Sequence, residues 1–173
     1  MTFEPAAWRD FFVMVGGGSA ALTGLVFVAM TLNADAIAQD AAHRYRAIGT
    51  LTGFAAAFVL CGLALMGGQS HQVIGAEWLV VSTIAAVVYI SGYVQAIRSD
   101  GDRAAIRVGR VVFGTVCCLA EMSGSGLLLA GQGVGIYIAA VGLVVYIAFM
   151  ITGAWLLIVW TRDESSRSKQ RAG

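Results

Sequence analysis

The sequence predicts an all-α polytopic membrane protein, a single bundle of five transmembrane helices, and three observations predict it. Only 12% of the 173 residues are charged, against about 25% in ordinary soluble domains, while 58% are hydrophobic. The charges are gathered between long uncharged runs rather than spread along the chain. Lys and Arg also fall almost entirely on one side of the alternation that those runs create.

A helix needs about 20 apolar residues to cross a hydrocarbon core roughly 30 Å thick. The first uncharged run, residues 11–32, fits one crossing. It is followed by Ala34-Asp35-Ala36, which resembles a signal-peptide cleavage site. A retained span is expected instead. The run exceeds the usual 7–15 apolar residues, Glu4 and Asp10 deny it a positive leader, and Arg44 and Arg46 follow it as a positive flank. The second span covers residues 47–67 and ends in the polar run Gly68-Gln69-Ser70-His71-Gln72. The third, residues 77–97, opens on Glu77 and Trp78, a carboxylate suiting the positive end of the helix dipole. From Val111 to Trp160 the only charge is Glu121, and the run is too long for one helix. The glycine-rich break Ala130-Gly131-Gln132-Gly133-Val134-Gly135 divides it into spans at 109–130 and 135–160, the last long enough to need tilt. Residues 1–160 then form one transmembrane domain, and 161–173 a polar tail expected to be disordered.

Loop charges give orientation. Arg44, Arg46, Arg98, Arg103, Arg107, Arg110, Arg162, Arg167, Lys169 and Arg171 all fall on one side, and only Arg9 on the other. The positive-inside rule therefore puts the N-terminus outside and the C-terminus in the cytoplasm. Trp8, Trp78 and Tyr137 are expected at the outer interface, Tyr45 and Trp160 at the inner one, as aromatic belts.

Several function classes lose support. A net charge of +1 gives no field to attract nucleic acid. The three cysteines, Cys61, Cys117 and Cys118, lie in apolar segments with no CxxC, and read as small packing residues. His43 and His71 belong to opposite faces, so no metal or haem ligand pair forms. No span carries a histidine or a facing pair of catalytic groups, so neither an enzyme nor a cofactor is expected. Asn33 and Asp35 read as a helix end, and the arginine loop from Arg98 to Arg110 as a topology signal touching anionic headgroups.

Two stripes predict close helix packing: Gly16, Ala20 and Gly24 in the first span, and Gly49, Gly53, Ala57 and Cys61 in the second. Small residues at four-residue spacing let backbones approach where water cannot drive association. The partners can lie in the same subunit or in another, so a homo-oligomer, or contact with another membrane protein, is expected besides the lipid bilayer itself. A fainter pattern is an echo between hairpins: Gly68-Gln69 and Gly131-Gln132, then Val87-Val88-Tyr89-Ile90 and Val144-Val145-Tyr146-Ile147. It fits either a duplicated hairpin or the ordinary frequency of these residues in lipid.

Glu121 is the one charge well inside a span. Insertion of a charge at a helix centre costs about 2.5–3.5 kcal/mol, and no intramembrane Lys or Arg exists to pair with it. It must be neutral, hydrogen-bonded, watered or bound to a cation. Its helical neighbours Gly114, Cys117, Cys118, Gly124 and Ser125 form a small, weakly polar face, while Val112, Val116, Leu119 and Leu127 lie opposite. The carboxyl is therefore expected to point inward, toward a bundle or an oligomer axis, with Tyr89 and Tyr146 at similar depth as hydrogen-bond donors. The functional reading is an ion or proton site formed by Glu121, Tyr89, Tyr146 and Ser125 in a channel or transporter. The structural one is a satisfied carboxyl in an accessory protein of a larger complex.

The stretch Trp8-Arg9-Asp10-Phe11-Phe12, Gly16-Gly17, Ala20 through Ala29 and Leu32-Asn33 resembles the first helix of small multi-pass membrane proteins of actinobacteria. Some similar sequences are labelled modulators of a membrane protease. The resemblance covers about 26 residues and includes no catalytic residue. It implies a bacterial plasma membrane.

Overall fold

The computed structural model describes residues 5–39, 41–98 and 104–172. Six helices follow one another: α1 (Pro5–Leu32), α2 (Ala34–Gln39), α3 (Ala41–Ala64), α4 (His71–Arg98), α5 (Ala104–Leu129) and α6 (Gly135–Ala172). No strand occurs among the described residues. Every helix but α2 contains a segment long and apolar enough to cross a membrane: Ala7–Leu32, Ala47–Ala64, His71–Gly92, Val111–Leu129 and Gly135–Trp155. The chain is a multi-pass membrane protein.

The helix ends follow local chemistry. The chain's single proline sits at the first position of α1, where its missing N–H costs nothing. Asn33 closes α1, its side-chain amide donating to the Ala29 carbonyl at 2.8 Å, and the chain re-enters a short helix, α2. α5 ends in a Schellman turn, with Gln132 N–H bonded to Leu127 O at 2.8 Å and Gly131 N–H to Leu128 O at 2.9 Å. That turn needs a left-handed residue, and Gly131 supplies it with φ of 79°; Gly68 does the same between α3 and α4 with φ of 80°.

Two ends differ from the sequence expectation. α4 starts at His71 rather than Glu77, because Ser70 caps it: its Oγ accepts from Val73 N–H at 3.3 Å. Glu77 thus stands in the second turn of α4, its Oε2 accepting from Gln69 Nε2 at 2.9 Å. Trp78 is carried off the expected interfacial belt into the core, where it is fully buried against Phe12. At the other end of the chain, α6 continues as helix to Ala172 through the segment expected to be disordered. That segment holds no Pro or Gly before its last residue, so nothing in it breaks a helix already nucleated by the apolar span. The side chains of the arginine loop, the segment beyond Trp155 and His43 lie outside the described residues, and so does the interfacial role expected of Trp160.

Helices α3, α4, α5 and α6 form a ring in which each packs on the next and α6 returns to α3. α3 and α5 stand diagonal, as do α4 and α6. α1 lies outside the ring, mainly against α3 and lightly against α6. Its first turns are tied in by aromatic contacts, Trp8 edge-on to Tyr137 of α6 at 4.7 Å and Phe12 edge-on to Trp78 of α4 at 5.6 Å. The start of α1 therefore shares one end of the bundle, the turn end, with the α3–α4 and α5–α6 turns. The α1–α3 connection, the α4–α5 connection and the end of α6 share the other, the arginine end.

The core has two parts. Toward the turn end, Phe12, Leu60, Cys61, Trp78, Leu128 and Leu143 pack together. Toward the arginine end, Val26, Phe54, Cys117, Cys118, Tyr146 and Met150 do. The two hairpin echoes are out of register: Tyr146 lies about two turns nearer the start of its helix than Tyr89 does.

Candidate functional site

Glu121 sits near the middle of the apolar segment Val111–Leu129, between the two core parts. Its surroundings follow from the face it occupies on α5. Residues 114, 117, 118, 121, 124 and 125 are all buried, whereas Val112, Val116 and Leu119 are each 56% exposed, so the small face turns into the ring and the branched face turns to lipid. Glu121 itself is only 4% exposed. That burial decides between the two inward directions left open by the sequence: the carboxyl lies inside its own subunit and not on an outer face that could line an axis between subunits.

Each neighbouring helix contributes one contact. From α4, Ser82, which is 3% exposed, faces Glu121 closely enough to interact with the carboxyl. From α3, Cys61 lies within electrostatic range, as do Cys117 and Cys118 on α5 itself. From α6, Gly142 rests on the backbone of Glu121, where a Cβ would come within 3.3 Å of the Glu121 nitrogen. Ser125 is wholly buried, but its hydroxyl donates to the Glu121 backbone carbonyl at 2.9 Å and not to the carboxyl. Neither Glu121 Oε1 nor Ser82 Oγ meets a partner at hydrogen-bonding geometry. A buried polar atom left in this condition costs about 1–3 kcal/mol, and more when charged, so the site stores a demand for a hydrogen bond, a proton or a cation.

Tyr89 and Tyr146 are buried, as expected of bundle-facing residues. Their hydroxyls lie on the arginine-end side of Glu121. Tyr89 of α4 presses its hydroxyl and ring edge onto Gly114 of α5, about two turns from Glu121. Tyr146 of α6 places its hydroxyl over Gly53 of α3, together with the end of Met150.

The packing residues divide as well. The α3 stripe is buried at Gly49, Gly53, Ala57 and Cys61, with side chains of Tyr146 and Met150 against Gly53 and nothing within 4 Å of a Cβ on Gly49. The α1 stripe splits. Gly16 meets Cys61, where a Cβ would come within 2.9 Å of the cysteine Cβ, but Ala20 and Gly24 are exposed and nothing approaches Gly24 within 4 Å. The reason is rotational, since α1 meets α3 through Phe12, Val15, Gly16, Ser19 and Val26, and Gly24 lies about 100° or more around the helix from that line.

The sequence reading missed Ser82 and the glycines that bring backbones together. A Cβ on Gly75 of α4 would strike the backbone of Ser125 and Leu129, and one on Gly124 of α5 the backbone of Gly135 and Ala139. Ser82 shares one face of α4 with Ile74 and Trp78, four residues apart, and all three are buried. On the lipid side of the α5–α6 pair an open apolar groove of about 440 Å³, bordered by Phe113, Val116, Ala120, Val141 and Val145, lies behind the site. Among the described residues no three of His, Cys, Asp and Glu converge as metal ligands do. No family model, curated protein or solved structure matches the chain.

Proposed function

We propose that this is a small membrane channel or transporter in which Glu121 binds and releases the transported or coupling ion or proton, each subunit using its own bundle. The observation that carries this reading is Glu121 Oε1, buried at mid-span without a hydrogen bond of good geometry, with the buried Ser82 hydroxyl facing the carboxyl. A carboxyl kept only for structure would be expected to have its hydrogen bonds filled, because its alternative in hydrocarbon is expensive. The ten-to-one distribution of Lys and Arg supports a cytoplasmic arginine end, and the first-helix resemblance a bacterial plasma membrane.

The test is flux of protons and small ions into proteoliposomes, wild type against Glu121→Gln. Robust flux that the substitution changes supports transport. Clean wild-type preparations that pass nothing defeat it.

A second reading, a non-catalytic accessory protein or a homo-oligomer held through α1, is favoured by one observation. Gly17, Ala20, Ala21 and Gly24 form an open strip of small residues on the helix that stands outside the ring. A single cysteine at Ala20, in a chain lacking the native three, reads it by disulfide cross-linking in native membrane. A product of twice the subunit mass indicates a second copy, a heavier product a different partner, and no product removes this reading.

A further inference from the structure

Five buried side-chain atoms among the described residues lack hydrogen-bond partners: Ser19 Oγ, Gln69 Oε1, Trp78 Nε1, Ser82 Oγ and Glu121 Oε1. Ser19 belongs to the α1–α3 contact, outside the ring. The other four form a sequence in space from the turn end to the middle of the bundle. Gln69 lies in the α3–α4 turn and lines a cavity of about 190 Å³ together with Arg9, Gly68 and Ile74. Ile74, Trp78 and Ser82 then follow along one face of α4, four residues apart, which is about 6 Å per step. Ser82 faces Glu121. Trp78 is 0% exposed and Ser82 3%, so neither atom reaches bulk water, and neither could reach it through lipid.

We propose that Glu121 exchanges protons with the turn end through water molecules bridging Gln69 Oε1, Trp78 Nε1 and Ser82 Oγ. Two hydrogen bonds of about 2.8 Å through one water span about 6 Å, which matches the one-turn step from Trp78 to Ser82; the longer step from Gln69 past the apolar Ile74 to Trp78 takes a file of several waters. Buried water takes up such unfilled polar atoms elsewhere in proteins. The roles differ by chemistry. The indole N–H only donates, so Trp78 holds a water oxygen in place and passes nothing on, and Gln69 Oε1 anchors the first water as an acceptor. The Ser82 hydroxyl both donates and accepts, so it relays. A hydronium at the cavity gives up one proton; each water and the hydroxyl accept one and release another; an O–H bond forms on Glu121. One proton leaves solution and one carboxylate is neutralised. Release reverses the steps.

Toward the arginine end no unpartnered buried polar atom of the ring continues the line among the described residues; there Tyr146 lies over Gly53 and Tyr89 over Gly114. The titratable groups within electrostatic range of Glu121 are Cys61 on α3 and Cys117 and Cys118 on α5, with Tyr89 of α4 and Tyr146 of α6 buried farther toward the arginine end. Arg9 and Glu77 stand at the mouth. The donor set at the centre, one carboxyl and one hydroxyl, suits a proton better than a hard cation that takes about six oxygens.

The inference rests on Glu121 being a proton site. The full chain is reconstituted in phosphatidylcholine vesicles, its orientation read by tryptic cleavage between residues 162 and 171. The pH is dropped on one face at a time while the infrared carbonyl band of protonated Glu121, assigned by its loss in Glu121→Gln, is followed. The band should grow promptly when the turn end is acidified and about tenfold more slowly when the arginine end is. Trp78→Phe keeps the ring and removes the N–H, and Ser82→Ala removes the relay; each should slow the turn-end response about tenfold or more at unchanged final amplitude. If Trp78→Phe does not fold, Ser82→Ala decides. Equal or faster response from the arginine end, a rate unchanged in the variants, or a band that answers neither face overturns the route. Flux insensitive to Glu121→Gln with the infrared asymmetry intact defeats transport alone. Flux sensitive to Glu121→Gln with both α4 variants silent defeats the route alone.

Discussion

Two glycines of the ring nearer the turn end, Gly75 and Gly124, face backbone; two nearer the arginine end, Gly53 and Gly114, face side chains. Gly75 and Gly124 let α4, α5 and α6 touch main chain to main chain, while Gly114 and Gly53 are sockets for the hydroxyl ends of Tyr89 and Tyr146. Backbone contacts bring whole helices together, and Trp78 Nε1, Ser82 Oγ and Glu121 Oε1 are enclosed between them. Side-chain sockets fill the middle with tyrosine rings. Both halves are packed, the turn half around Phe12, Leu60, Trp78 and Leu143 and the other around Phe54, Tyr146 and Met150, but the unpartnered polar atoms of the ring lie from the turn end to the middle.

The comparison breaks most easily where nothing can move aside. Gly124→Ala puts a Cβ 2.5 Å from the Ala139 nitrogen and 2.7 Å from the Gly135 oxygen. The α5–α6 hairpin has to open, at an expected cost of about 1–3 kcal/mol or more, read as a lowered unfolding midpoint in detergent. Gly75→Ala should behave alike, since its neighbours are also backbone.

Gly114→Ala is expected to cost less, about 1–2 kcal/mol, because it meets the ring of Tyr89 and a ring can tilt. The hydroxyl is the nearest atom, so Tyr89→Phe in the same chain should recover part of the loss. A double-mutant cycle in which the two changes simply add would show that the socket is not what holds the tyrosine.

Gly53→Ala comes next. Its nearest neighbours are the terminal methyl of Met150, at 2.5 Å, a flexible end that swings away, and the hydroxyl of Tyr146 at 2.7 Å, the far end of a ring that can tilt. A loss below about 1 kcal/mol is expected, and Met150→Ala should absorb the added methyl.

The smallest effect belongs to α1. Nothing lies within 4 Å of Gly17 or Gly24, so Gly17→Ala or Gly24→Ala should stabilise the helix by up to about 0.5–1 kcal/mol. Stabilisation in dilute detergent with loss of cross-linking in membrane would mean that a partner helix occupies the strip.

The pair of stripes shows how far the sequence could be read. Gly16, Ala20 and Gly24 on α1 and Gly49, Gly53 and Ala57 on α3 present the same spacing, yet the second is buried throughout and the first only at Gly16. Spacing shows that a face can accept a backbone, not that a backbone is there. Trp78 was placed at the interface because α4 was started at Glu77; the Ser70 cap moves the start to His71, and packing on Phe12 holds the indole inward. Ser82 went unread because a lone serine in an apolar helix is commonplace, and its meaning depends on Glu121 standing opposite.

What the sequence alone determined is whatever depends on chain order and transfer energy. It set five apolar segments, their glycine turns at Gly68 and Gly131, and a single carboxyl at mid-span. Those follow from the cost of charge and unpaired backbone in hydrocarbon, which acts on each segment by itself. Only the tertiary structure decided which face of each helix is inside. Lipid and protein core are equally apolar, so the amphipathic signal that orients helices in water is faint here, and rotation about each axis is chosen by close packing of small residues against particular neighbours. That choice enclosed Glu121 within one subunit, set Ser82 beside it and left the α1 strip facing outward.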